Sequence, residues 1–459
     1  MKTLSTLFIA AALILGLVDC APAHTPTPSQ YSLTVSATEG GEVVTPGEGT
    51  FAYDAGTVVP LVAESEQGYG FLSWTGDTAA IAYVNAASTT ITMQGNYSIV
   101  ANFEEAVTFP DPNLESAVRQ ATGISEHPIY PSDLDGLTSL FARQKNIADL
   151  TGLEHCPNLT GLNLEYNQIS DISPLADLTN LTYLYLLGNQ ISDISLLANL
   201  TKLTQLDLEG NQISGISLLA NLTNLTRLVL ASNQLSDTEL LHVADLTNLT
   251  HLDIARNPIG DISPLANLTK LTGLNLEYTE ISDVSLVAGL TGLTWLNLRY
   301  TRVTDISPLA NLTKLTGLGL SGHQISDISR VVNLSKLTSL YLSGSQINDI
   351  SPLSNLTELT ALGLDSNQIS DISPLANLTN LRELVLPANQ INDISPLVNL
   401  TNLTYLNLRS NQINDINPLV QNEGLSEEDY VDLQDNPLSS DSINVYVPHL
   451  RARGVTVDY

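Results

Sequence analysis

The sequence predicts an α/β solenoid of short strands and 3₁₀ turns, preceded by a small β-rich domain. Three observations predict it. Leucines recur at a fixed phase every 22 residues over nearly two-thirds of the chain. The segment after each leucine pair is too short, and too often broken by proline, for a regular α-helix. Aromatic residues make up only 5% of the 459 residues, so any core has to be aliphatic. A prior of about 150 residues per domain suggests about three domains, but a coil extended by identical units accounts for most of the length instead.

The pattern L-x-x-L-x-L-x-x-N-x-I opens at Leu159. Later units open at Leu181, Leu203, Leu225, Leu249, Leu271, Leu293, Leu315, Leu337, Leu359, Leu381 and Leu403, twelve in all. The Leu225 unit has two extra residues, within 236–245. An imperfect unit from Leu137 precedes the series, and a degenerate one with Val431, Leu433, Asn436 and Leu438 in phase follows it. Each x-L-x-L reads as a short strand, and a return segment such as 171–178 reads as a 3₁₀ turn. One unit cannot bury its leucines alone, whereas stacked units share a single aliphatic core.

Two polar columns follow the same phase. The ninth position holds Asn167, Asn189, Asn211, Asn233 and Asn257, then Thr279, Thr301, His323 and Ser345, then Asn367, Asn389 and Asn411. Asparagine there is expected to bond backbone groups of neighbouring turns. Four successive departures either soften the middle of the coil or are harmless. The thirteenth position holds aspartate from Asp171 to Asp415, with Asp237 in the long unit and Gly215 breaking the series. That column supplies 11 of the 48 acidic residues. It reads as capping of the turns rather than a calcium ladder, because it offers one carboxylate per repeat.

The ends have a different grammar. Residues 1–23 read as a secretory signal: Lys2, an apolar run from Leu7 to Val18, and Ala21-Pro-Ala23 as a cleavage site. Alternatively Leu17-Val-Asp-Cys20 is a lipobox, its signal ending at residue 19 and Cys20 carrying the lipid, although Asp19 is larger than that motif favours. Residues 24–30 read as a Pro/Thr/Ser-rich linker. Residues 31–104 alternate as β-strands between glycine-rich turns, with Trp74 as core. Residues 105–136 read as a helical cap with Asp111 as N-cap and Pro112 as first helical residue, 137–438 as the repeats, and 439–459 as a C-terminal cap that closes the coil. Cys156, the other cysteine, falls in a leucine column and reads as buried, so no disulfide framework exists.

The repeats from Leu137 to Leu438 resemble the leucine-rich repeats of bacterial internalins, of the 22-residue SDS22-like class. Gly68-Tyr-Gly-Phe71-Leu-Ser-Trp74-Thr-Gly76, followed by Ile99-Val-Ala-Asn-Phe103, resembles the divergent internalin-type B-repeat of secreted bacterial proteins. The first resemblance implies a right-handed, curved solenoid with a parallel β-sheet on its concave side and 3₁₀ turns on its convex side, the concave sheet binding another macromolecule. The second implies a spacer or accessory binding module.

Function classes narrow accordingly. The formal charge of −31, from 48 acids against 17 bases, argues against nucleic acid and against a polybasic membrane contact; a membrane association would come only through a lipid on Cys20. Gly317-Leu-Gly-Leu-Ser-Gly322 matches a dinucleotide fingerprint, but its leucines are repeat positions. The histidines are scattered, and no nucleophile, acid/base pair or metal motif recurs. No catalytic residue, metal or cofactor is therefore expected. The third, fifth, seventh and eighth positions of each unit should face outward on the concave side. Tyr166, Tyr183, Tyr185, Tyr278, Trp295, Tyr300, Tyr341 and Tyr405 stand there, with Arg256 and Arg299 among them. Exposed Trp, Tyr and Arg are what protein hot spots are enriched in. The expected function is non-catalytic binding of a protein partner by a monomer outside the cell; the alternative is a glycan or envelope-polymer adhesin using the same rings.

Overall fold

The computed structural model describes residues 29–125, 127–322 and 325–459. The signal, the lipobox with Cys20 and most of the linker lie outside them. The chain divides into two units, meeting at Ala106 and Val107.

In the smaller unit two sheets face each other across one core. One orders its strands Gly49–Asp54, Gln30–Ala37, Tyr97–Glu105 and Tyr69–Gly76, with a parallel central pair. The other is antiparallel, Gly41–Thr45, Val58–Ser65 and Ser88–Thr92. Alternating Leu33, Val35, Val59, Leu61, Ile91 and Ile99 turn inward. Trp74 is buried among them, tilted against Phe71, and its indole N–H donates to Ala86 O at 3.0 Å.

In the larger unit fifteen strands form one parallel sheet in strict sequence order, from Ser139–Phe141 to Thr456–Asp458. Twelve belong to the complete repeats, and each is three residues long, such as Gly161–Asn163 and Trp295–Asn297. The registers never slip, so every column stacks on itself. The leucines at the first, fourth and sixth positions and the isoleucines at the eleventh are essentially fully buried, giving one continuous core. Each leucine buried this way stabilises by about 1.5–3 kcal/mol, which explains why three residues per strand suffice. The return segments are 3₁₀, as in Ser263–Asn267; the last, Asn417–Gln421, is a short α-helix. Cys156 is fully buried, and burial, helped by Glu154, pushes its thiol up to about 12.

Asparagine stitches the units. The Nδ2 of Asn189 donates to Leu164 O of the preceding repeat (3.1 Å) and to Leu186 O of its own (2.9 Å), and its Oδ1 accepts from Ile169 N–H (3.1 Å). A second ladder runs alongside it. The threonine at position two donates its hydroxyl to the carbonyl 22 residues earlier, for example Thr182 to Thr160 O at 2.9 Å and Thr338 to Thr316 O at 3.0 Å. At the N-terminal end, Asp111 caps the helix Pro112–Thr122 through Asn113 N–H (2.8 Å), while its other oxygen accepts Ala148 N–H (2.7 Å) of the first turn. At the other end the chain is helical over Ser442–Tyr446 and Val447–Ala452, and Arg453 donates to the carbonyls of Val420, Asn422 and Leu425.

Candidate functional site

The two faces of the repeats carry different chemistry. On the turn face the aspartate column is consumed locally. Asp171, Asp193, Asp261, Asp283, Asp305, Asp327, Asp349, Asp371, Asp393 and Asp415 each accept, at 2.8 Å, the backbone N–H two residues on, at the start of the turn. The serine N–H, then its hydroxyl, hold the carboxyls of Asp193, Asp283, Asp305, Asp327, Asp349 and Asp371 below the usual range. Asp237 departs from the expected column. The two extra residues lengthen its turn, Asp237–His242, and its carboxylate accepts Gly260 N–H (2.6 Å) and Asp261 N–H (3.0 Å) of the next repeat instead. Glu239 reaches the other way, to Ile216 N–H at 2.9 Å.

On the sheet face the third and fifth positions lie on the strands and the eighth does not. Tyr183, Trp295 and Tyr405 are at position three, and Tyr185 and Tyr341 at position five. Arg256, Tyr278 and Tyr300 sit at the rim, in the turn after the strand, with φ of 55°, 55° and 57°. This left-handed conformation recurs down the column and explains why Gly188, Gly210, Gly322 and Gly344 occupy it elsewhere. Arg299, at position seven, lies between rim and strand.

Apart from Trp295, and from Tyr166, which lies under Arg143 (4.7 Å) and against Gly188, the expected residues form three groups. Tyr183 and Tyr185 are 5.5 Å apart, and Tyr183 lies across the strand at Gly161. Tyr185 donates to Gln205 Oε1 at 2.6 Å. In the centre, Arg256 stacks over Tyr278 (4.5 Å), Tyr278 over Tyr300 (4.5 Å, 13° between planes), and Tyr300 lies over Gly322. Arg299 bridges this rim stack to the strands, 5.7 Å from the Tyr300 ring and 5.9 Å from that of Tyr341. Its Nε is buried without a hydrogen-bond partner among the described residues. Tyr405 stands apart, stacked at 5.4 Å on Tyr430 of the degenerate unit.

Trp295 is 43% exposed and stands between two depressions. One, of about 220 Å³, is lined by Arg227, His251, Asp253, Gly273, Asn275 and Trp295. The other, of about 110 Å³, lies toward Arg299, Gly319 and Tyr341. Glycines make room for the rings: a Cβ on Gly317 would lie 2.6 Å from Trp295 Cδ1, and one on Gly363 2.8 Å from Tyr341 Cδ1. Burial pushes the Asp207, Asp253 and Glu209 carboxyls above the usual range, outweighing hydrogen bonds and nearby arginines. Burial, then Arg227, depresses His251. Sequence reasoning missed Arg227, His251, Asp253, Gly273 and Asn275. The available signal was column three, which reads Arg227, His251, Gly273, Trp295, Gly317, with small residues beside large ones.

Stacked 22-residue units with this sheet, these turns and this asparagine ladder define a leucine-rich repeat solenoid. Family models agree. The leucine-rich repeat model (two copies) matches 135–177, 157–199, 179–221, 201–242, 247–289, 291–333, 335–377 and 379–421, and the divergent InlB B-repeat domain matches 31–107. The chain is similar to the crystal structure of an internalin, inlF, from Listeria monocytogenes, at 34% identity and a TM-score of 0.59, over 76% of this chain and 96% of that one. It is also similar in fold to the functional domain of InlJ from Listeria monocytogenes (24% identity, TM-score 0.56, 72% of this chain and 82% of that one). A leucine-rich repeat protein of Leptospira interrogans shares the fold as well (22%, TM-score 0.60, 72% and 97%). Comparison with curated proteins finds no significant match. The chain belongs to the internalin-like leucine-rich repeat proteins. Internalin-like relatives are surface or secreted bacterial proteins, typically non-catalytic.

Proposed function

We propose that this protein is an exported, non-catalytic, monomeric binder that holds a protein partner against the sheet face of its repeats. The observation that carries this reading is the half-exposed Trp295 between two recesses, beside the Arg256–Tyr278–Tyr300 stack. Rigid aromatic and arginine side chains anchored by their neighbours lose little entropy on binding and are the usual hot-spot groups. The same stack weighs against a glycan reading. Sugars stack on free ring faces, and Tyr278 has one face under Arg256 and the other against Tyr300. Tyr183, Tyr185, Arg299, Tyr341 and Tyr405 extend the proposed surface along the sheet. We place the signal at 1–23, or ending at 19 with a lipid on Cys20, the linker at 24–30, the small module at 31–104, the helical cap at 105–136, the repeats at 137–438 and the C-terminal cap at 439–459.

The test is capture of surface proteins and of an immobilised glycan panel by wild type and by the Trp295→Ala, Tyr300→Ala pair. Loss of a protein ligand by about 2–4 kcal/mol per anchor is expected. Unchanged protein capture would overturn the assignment, and capture of glycans alone would favour the adhesin reading. The mass of the exported protein separates a lipidated Cys20 from release after Ala23.

A further inference from the structure

The recess between His251 and Trp295 points to one kind of occupant. Its floor is Gly273, where the missing side chain leaves space that a Cβ would close to 2.8 Å from His251 Cδ2. Asp253 and Asn275 sit side by side on adjacent strands, with Asn275 Nδ2 donating to Asp253 Oδ2 at 2.8 Å. Asp253 Oδ1 accepts Ala255 N–H at 3.0 Å, so one carboxylate lone pair on each oxygen is left for a ligand. Asp207 and Glu209 lie two repeats before, and Glu277 one repeat after. Arg227 is the fixed cation among them. We propose that this recess takes the cationic side chain, lysine or arginine, of an extended segment of the protein partner, the cation lying against Trp295 and bonded to Asp253. The proposal rests on the sheet-face reading above and names the chemistry of its partner.

Three features favour a cation over an anion or a neutral group. Trp295 presents the best side chain for a cation–π contact, half-exposed at the edge of the recess. Asp253 is desolvated without an ion partner sufficient to offset its burial: Arg227 lowers both Asp207 and Asp253, yet both remain above the ordinary carboxylate range. His251 is depressed by burial, so it is neutral near pH 7 and adds no competing charge. An acidic group would meet Asp253 here.

The sequence has two tryptophans, and Trp74 is buried, so emission changes on ligand addition report Trp295. The full chain is titrated with acetyl-tetralysine amide, with tetraglutamate and chitotetraose as probes of the other classes. A saturable, salt-sensitive response to tetralysine is expected, weakened about tenfold or more in Asp253→Asn, the scale of one charge-assisted hydrogen bond. Gly273→Val, which fills the floor, should weaken it similarly; a circular dichroism spectrum checks its folding, and Asp253→Asn carries the test if it misfolds. Equal affinity for tetralysine in wild type and Asp253→Asn, or a response to chitotetraose alone, would overturn the proposal. If Trp295→Ala loses the protein partner while Asp253→Asn and Gly273→Val keep it, the sheet-face reading stands and the cation site falls. If none of the three affects capture, both fall.

Discussion

The outer repeats and the central repeats share one leucine core but differ in how neighbours are tied. In the outer ones, asparagine donates backward to the preceding repeat, donates within its own, and accepts from a buried N–H, as Asn389 does with Leu364 O, Leu386 O and Ile369 N–H. In the centre, Thr279 and Thr301 each donate to one carbonyl of their own repeat, Leu276 O at 2.7 Å and Leu298 O at 3.0 Å. A hydroxyl has one proton, so the backward stitch is lost. Ser345 Oγ is buried with no partner among the described residues. Ile259 N–H, deprived of the next asparagine, turns to Asn257 O at 2.8 Å. The stretch with the weakest stitching is also the one that carries Tyr278, Trp295, Tyr300, Arg299 and Tyr341. A solenoid depends on nearest-neighbour interfaces, so the place where these are thinned is where the sheet can adjust to a partner at least cost.

The largest effect that separates the regions is removal of an outer stitch. Asn389→Ala should cost about 2–4 kcal/mol, since it leaves a buried N–H and carbonyls unpaired. Thr301→Ala should cost about 1 kcal/mol, for one neutral hydrogen bond. Urea unfolding measures both, and equal costs would erase the distinction. Native-state hydrogen exchange should likewise show strands Gly273–Asn275 to Ser339–Tyr341 opening before Glu383–Val385. Uniform protection would mean that threonine and serine are as good as asparagine here.

A gain comes next. Ser345→Asn restores three of the missing bonds in a column whose backbone already has the geometry, and Asn367 beyond it is fully bonded. It should stabilise by about 1 kcal/mol, raising the urea midpoint without changing the slope. If the centre is loose for binding, the same variant should weaken partner capture despite the added stability; stronger capture would argue that looseness there is incidental.

The repeats were legible because a 22-residue phase fixes strand, turn and core columns together, and the ninth-position asparagine has few other uses. The position-two threonine ladder was hidden in plain view: Thr160, Thr182 and Thr204 look like ordinary surface polar residues until stacking brings each hydroxyl to a carbonyl. The rim was blurred for a different reason. Tyr278 and Tyr300 follow the strand positions closely in sequence, although the glycines of their column signal a left-handed turn. The recess at Gly273 could not be read from one repeat at all, because it exists only where three neighbouring units place a large, a null and a large side chain in register.

The smallest expected effect contrasts the two faces by pH. Burial raises Asp207 and Asp253 above the ordinary carboxylate value, so ionised they oppose folding near pH 7, and that opposition fades as pH falls through their raised values. The turn-face column has the opposite sign. Its carboxyls are lowered from 3.8, so their contribution is fully present above that value and is lost as pH falls below it. Thermal stability should therefore rise on mild acidification from pH 7 and fall below about pH 4. Relief of the −31 net charge adds to the rise, which is why the variants decide. Asp253→Asn should flatten the rise and leave the fall, whereas Asp349→Asn with Asp371→Asn should leave the rise and blunt the fall. A melting temperature that declines steadily from pH 7, or variants that move both limbs alike, would mean that the faces are not electrostatically distinct.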